Sequence, residues 1–174
     1  MIEALISSKT RIKLLLKFFI NGKTKAYLRG LQSEFGESTN SIRIELNRFE
    51  KAGMLISSQD GNKKIFQANT KHPLYNEIHN IVLKHIGIDK VIENVVHRLG
   101  DVKQVYLEGD FAKGINSNII DLIFIGKVDQ NYLIELTGKV EEIISKKIRY
   151  IIYTDDEFSN IDYKLNEPLL LWAK

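Results

Sequence analysis

The chain has 174 residues, of which 44% are hydrophobic and 27% charged, so it can form one large domain or two small domains with buried cores. It contains no cysteine, which excludes disulfides and thiolate metal sites. No apolar run approaches the roughly 20 residues that cross a membrane, and Met1–Leu5 does not resemble a signal peptide. We therefore expect a cytoplasmic protein with no membrane partner. The net charge of +3 divides into +7 over residues 1–87 (14 Lys and Arg against 7 Asp and Glu) and −4 over residues 88–174 (11 against 15), which makes the first half the candidate for binding a polyanion.

In the first half of the chain, helical periodicity and a hairpin signal predict helices followed by a β-hairpin and a further helix. The predicted elements are helices at about Ser8–Phe19 and Ala26–Phe35, a third helix capped by Ser38 or Thr39 that continues to Ala52, strands at Met54–Ser58 and Lys64–Ala68 connected by Gln59–Lys63 with Asp60-Gly61 as the hairpin signal, and a fourth helix that begins around His72-Pro73. Gly87 is the expected domain boundary, which gives domains at residues 1–87 and 88–174.

Helices and strands are predicted to alternate in the second half, as in an α/β domain. The predicted elements are a helix at Lys90–Leu99, a strand at Val102–Leu107, a glycine-containing loop at Gly109–Ser117, a strand at Ile119–Ile125, a helix at Asn131–Lys146, a strand at Ile148–Tyr153, a short helix opened by a capping box at Thr154–Glu157 and a last strand at Pro168–Trp172.

The third helix has one apolar stripe, formed by Ile42, Leu46 and Phe49, and an opposite polar face. Side chains on that face are of the types that read base edges and bind phosphates. They are Asn40, Ser41, Arg43, Asn47 and Arg48, and Lys63 and Lys64 beside the hairpin tip are expected to bind the flanking phosphates. Ile44 has two interpretations, as an outward residue that touches a thymine methyl group or as a packed residue of a slightly rotated helix.

The segment from Leu28-Arg29-Gly30-Leu31 to Ser41–Leu55 resembles the winged-helix domains of bacterial ArsR- and MarR-type regulators, and the resemblance covers roughly residues 8–86. It implies that the third helix recognises DNA and that the following hairpin is the wing. The metal sites of the ArsR family are not implied, because cysteine is absent. The alternative is a winged helix used for protein contacts.

The stretch from Gly109-Asp110-Phe111-Ala112-Lys113-Gly114 to Ile119-Ile120-Asp121-Leu122 is similar to the signature of minimal nucleotidyltransferases, over roughly residues 88–174. The resemblance implies a phosphate or ligand loop at Gly109, Lys113 and Gly114, with Asp121 as the remaining metal-type carboxylate. The signature is incomplete, since Asp110 replaces a serine, Ile119 replaces the first metal aspartate and the strand around Arg149 has no acid. One carboxylate is too few for a two-metal site, so we expect no metal, no cofactor and no catalysis.

Several of these features also have simpler structural interpretations. The second half can be an unrelated α/β domain, Asp121 can simply accept backbone N–H groups, and the acids at residues 155–157 can be helix-dipole partners. The four histidines lack the spacing of a metal site.

The expected fold class is therefore α+β, with an N-terminal winged helix-turn-helix and a C-terminal α/β nucleotidyltransferase-like domain. The expected function is sequence-specific binding of double-stranded DNA by a transcriptional regulator, a homodimer whose second domain serves dimerisation or the sensing of a small-molecule effector. An active nucleotidyltransferase with an attached DNA-binding domain and a protein-interaction scaffold are the alternatives.

Overall fold

A computed structural model describes residues 2–115, 117–161 and 168–174. The chain divides into two units, Met1–His85 and Ile86–Lys174, each with its own β-sheet and helices. The expectation of a mixed α+β fold is confirmed at this level. No helix among the described residues is both long and apolar enough to span a membrane.

The first unit contains three helices with an end that matches a local sequence signal. Its elements are α1 (Lys9–Phe19), β1 (Lys25–Tyr27), α2 (Leu28–Phe35), α3 (Thr39–Lys51), β2 (Leu55–Asp60), β3 (Lys63–Ala68) and most of α4 (Tyr75–Ile86). The Ser8 and Ser38 hydroxyls cap α1 and α3 by accepting a hydrogen bond from the backbone N–H three residues later. Gly36 ends α2 in the left-handed conformation, with φ of 65°.

The first sheet has the order β1-β3-β2, with antiparallel pairs throughout. Asp60 pairs with Lys63, so the hairpin loop is Gly61-Asn62 alone, and the predicted connection at Gln59–Lys63 is too long because both strands extend into it. Gly61 supplies the positive φ of 54° that a two-residue hairpin needs. The second helix ends at Phe35 as predicted, but it begins at Leu28 and not at Ala26, because Lys25–Tyr27 pairs with β3.

The second unit is built on a four-stranded sheet of order β6-β5-β4-β7, in which β5 and β6 are parallel and the other pairs are antiparallel. Its elements are α5 (Ile88–Asn94), β4 (Gly100–Glu108), α6 (Gly109–Ala112), β5 (Ile119–Val128), α7 (Gln130–Ile144), β6 (Lys147–Tyr153), α8 (Asp155–Ser159) and β7 (Leu169–Ala173). Alternate residues of β4 and β5, such as Val105, Leu107 and Phe124, are fully buried on one sheet face.

Three further element predictions need correction. The helix predicted at Lys90–Leu99 ends at Asn94, and a 3₁₀ turn at Val96–Arg98 follows it. The loop predicted at Gly109–Ser117 begins with one helical turn, α6. The fourth helix begins at Tyr75 and not at His72-Pro73.

Candidate functional sites

The polar face of α3 is exposed over its whole length. Ile42, Leu46 and Phe49 point into the core with 0%, 1% and 6% exposure, so the opposite side of the helix faces outward. All five side chains predicted to contact DNA lie on that exposed side: Asn40, Ser41, Arg43, Asn47 and Arg48.

Two of these residues share a cleft with the hairpin. Arg43 and Asn47 line it from α3, Lys63 and Lys64 line it from β3, and Arg29 lines it from α2. The cleft measures about 670 Å³, and we call it the basic cleft. Leu28, Leu46 and Phe66 form apolar parts of its wall. The fold therefore brings together the two predicted groups of phosphate and base contacts, which are separate in the sequence.

The cations of the basic cleft differ in how they are held. The ammonium group of Lys64 pairs with Glu50 at 2.7 Å, and this hydrogen bond, with a second from Ser57, holds the pKa of the Glu50 carboxyl below its usual value. The Lys63 ammonium lies over the Tyr27 ring, 4.7 Å from its centroid. Within the described ranges, neither Arg29 nor Arg43 makes an ion pair with an acidic side chain, so both guanidinium groups are available to an anionic partner.

Arg48 forms an ion pair with an acidic side chain of its own helix. Its guanidinium donates to the Glu45 carboxylate at 2.9 Å, and Glu45 is only 5% exposed. Glu45 also accepts from Arg11 at 2.9 Å and 3.2 Å. Burial raises the pKa of Glu45, but the hydrogen bond and charge of Arg11 and the charge of Arg48 outweigh it and leave the pKa below its ordinary value. Three of the five α3 residues predicted to contact DNA do not line the basic cleft: Asn40, Ser41 and Arg48.

Sequence reasoning missed Arg29 and Tyr27 as parts of this site. Their place depends on the pairing of β1 with β3, in which Tyr27 lies opposite Ile65. Ile44 is 44% exposed, so the interpretation of Ile44 as a packed residue is wrong.

A second cleft lies beside the carboxyl end of β4, in the second unit. Gly109, Lys113 and Asp121 line it together with Glu108 and Arg149, and it measures about 460 Å³. We call it the strand-edge cleft. Gly114, the third predicted loop residue, is buried, does not line this cleft, and donates its N–H to the Phe111 carbonyl at 2.9 Å.

Asp121 is neutralised by an arginine from the neighbouring strand. Asp121 and Arg149 are register partners on the parallel strands β5 and β6, and Nε of Arg149 donates to Oδ1 of Asp121 at 2.6 Å. The hydrogen bond to Asp121 and the charge of Asp121 raise the pKa of Arg149 above its usual value. The interpretation of Asp121 as an acceptor of backbone N–H groups is not supported, because among the described residues its hydrogen bond comes from the Arg149 side chain.

Glu108 is a carboxylate of this cleft that sequence reasoning missed. It lies opposite Asp121 in the antiparallel β4–β5 ladder. Gly109 follows it with φ of 68°, and a Cβ atom there would collide with the Asp121 carboxylate. The glycine of the predicted loop thus makes room for Asp121.

These residues do not fit the pair of divalent metal ions that the nucleotidyltransferase signature would imply. Ile119 offers no oxygen, and the register partner of Asp121 is a cation, which competes for the carboxylate. Across the described parts of the chain, no three His, Asp or Glu side chains gather as a metal-binding group.

Comparison with known proteins adds no relative: no family model, no curated protein and no solved structure matches the chain. The functional argument therefore rests on the two clefts and their charges.

Proposed function

We propose that the protein is a sequence-specific DNA-binding transcriptional regulator whose first unit is a winged-helix domain, with α3 as recognition helix and the β2–β3 hairpin as wing. The observation that supports this most is the basic cleft. It joins Arg43 and Asn47 of the exposed α3 face to Lys63 and Lys64 of the hairpin and adds Arg29. A helix face with base-reading side chains beside cations that suit phosphates is the arrangement that DNA recognition requires.

The division of labour follows from side-chain chemistry. Arg43 can donate two hydrogen bonds to a guanine, and Asn47 can exchange two with an adenine, in the major groove that admits an α-helix. Arg29 and Lys63 suit phosphate contacts, which add affinity and fix the register without reading sequence. Arg48 and Lys64 contribute less in this proposal, because each is already paired with a glutamate.

For the second unit we propose a nucleotidyltransferase-like domain without catalytic activity, which serves dimerisation or effector sensing. The order β4-α6-β5-α7-β6, with a glycine at the start of α6 and Asp121 on β5, supports the likeness. The Arg149–Asp121 ion pair argues against nucleotidyl transfer. A homodimer would bind two inverted half-sites.

The test is selection of genomic DNA fragments by the purified full-length protein in EDTA, followed by sequencing and a salt titration of the enriched fragments. We expect an inverted-repeat motif whose binding constant falls steeply with salt concentration. Absence of any enriched motif contradicts the proposal and favours a protein-interaction module.

Variants then assign the contacts. Arg43→Ala and Asn47→Ala are each expected to weaken binding to the selected site by about 1–3 kcal/mol and to relax its sequence preference. Lys71→Ala, which removes an exposed cation that does not line the basic cleft, is the matched control and should change affinity little. Wild-type affinity in both α3 variants would show that this face does not read DNA.

A further inference from the structure

Ile44 is an apolar side chain in the middle of a polar helix face. Its orientation is fixed by its neighbours, because Ile42 and Leu46 are buried while Ile44 remains 44% exposed. At 3.6 residues per turn, Ile44 points within about 30° of the direction opposite the buried stripe. It is flanked on that face by Asn40, one turn before it, and Asn47, one turn after it. The centre of the exposed face is therefore apolar.

We propose that Ile44 is a specificity-determining residue that packs against the 5-methyl group of a thymine in the major groove. This inference rests on the proposed function, in which α3 enters that groove. The thymine methyl is the apolar group that base edges present there, whereas the remaining groups are hydrogen-bond donors and acceptors. A branched aliphatic side chain between two asparagines matches a methyl group and has nothing to offer a polar base edge.

The position of Arg48 strengthens the assignment. Arg48 follows Ile44 by four residues and would be the next side chain to reach the bases, but its guanidinium is held by the buried Glu45. Arg43 and Asn47, in contrast, point into the basic cleft on the other side of Ile44. Ile44 thus lies between the basic cleft and an arginine whose guanidinium is already paired with Glu45.

The experiment removes the methyl group and not the base. Duplexes of the selected site are synthesised with each thymine replaced in turn by deoxyuridine, and affinities are measured for the wild type, Ile44→Ala and Ile44→Val. For the wild type we expect one thymine in each half-site where deoxyuridine weakens binding about three- to fourfold, the effect of burying one methyl group. Ile44→Ala should bind both duplexes equally at that position, and Ile44→Val should remain sensitive.

Each remaining outcome overturns the inference. If the wild type binds the selected site but tolerates deoxyuridine everywhere, Ile44 has no thymine partner, while the proposed function stands. The same holds if Ile44→Ala keeps the full wild-type sensitivity. If the wild type selects no DNA motif, the proposed function fails, and this inference fails with it. Because Ile44 is exposed, an unchanged melting temperature of Ile44→Ala serves as the folding control.

Discussion

At the scale of single residues, Glu45 joins two helices through one carboxylate. It accepts hydrogen bonds from Arg11 and Ser8 at the start of α1 and from Arg48 on its own helix, α3. Because Glu45 is almost fully buried, these donors replace the water that its charge would otherwise need. The Glu45 carboxylate therefore links the proposed recognition helix α3 to α1 within the protein itself.

Glu45→Gln is expected to lower the free energy of unfolding by about 1–3 kcal/mol at neutral pH, since Arg11 keeps contact with solvent and its pairing is only partly buried. The pKa of Glu45 is lower in the folded protein than in the unfolded chain, so its stabilisation is present above the unfolded value of 4.5 and is lost as the pH falls through the folded value. Urea unfolding at neutral pH and near pH 3 should show a gap between wild type and variant that closes in acid. Glu77→Gln, at an exposed position of α4, is the control. A gap of the same size at both pH values would contradict this role.

Gly109 and Gly100 offer a matched pair of substitutions in the second unit. Both have positive φ, 68° and 85°, so alanine costs about 1–2 kcal/mol of backbone strain at either position. A Cβ atom at Gly100 meets nothing within 4 Å, whereas at Gly109 it collides with the Asp121 carboxylate. We expect Gly109→Ala to destabilise the protein more than Gly100→Ala, because Asp121 must leave its place beside Arg149. Equal melting temperatures for the two variants would show that Asp121 moves freely.

At the scale of elements, the hairpin presents two neighbouring lysines in different states. Lys63 lies over the Tyr27 ring, whereas Lys64 is paired with Glu50. Lys63→Ala should weaken binding to all DNA sequences by a similar factor and reduce the slope of log K against log salt by about 1. Lys64→Ala should reduce this slope less, because its charge is already partly neutralised. Salt titrations of both variants on the selected site make the comparison, and equal slope changes would contradict it.

The elements that could be predicted from the sequence are those whose signals are local. Helices α1 and α3 were predicted almost to the residue, because serine caps precede them and the apolar stripe repeats along each helix. Strand β1 was missed, because three residues form a strand only by pairing with β3 far along the chain. The hairpin loop is shorter than the predicted Gln59–Lys63 for a similar reason, since the register of the two strands decides which pair of residues closes the loop.

The candidate sites show the same division. The exposed face of α3 follows from helical periodicity, so its five polar residues could be named from the sequence. The place of Arg29 beside Arg43, and of Arg149 and Glu108 beside Asp121, depends on strand pairing and on packing between elements. Sequence spacing contains no such information. The sequence therefore predicted Asp121 as a residue of the second site, but not the charged side chains of Arg149 and Glu108 beside it.

At the scale of the whole molecule, the two units differ in charge as well as in fold. Residues 1–87 have 14 basic against 7 acidic side chains, and residues 88–174 have 11 against 15. An acidic second unit is poorly suited to follow a nucleic acid backbone. In the proposed function it is the first unit that binds DNA, and the second unit acts on the binding equilibrium through assembly or an effector.

The last prediction concerns the chemistry of that second unit. We expect the full-length protein to transfer no labelled nucleotide to protein or RNA with either Mg²⁺ or Mn²⁺. Phosphoryl transfer of this kind relies on several carboxylate oxygens that hold metal ions against the triphosphate, whereas here Ile119 offers no ligand and Arg149 already neutralises Asp121. Incorporation of label that is lost in Asp121→Ala would refute the prediction and make the protein an enzyme. Incorporation that persists in Asp121→Ala would instead point to a contaminating activity, because Asp121 is the one signature carboxylate that the sequence retains.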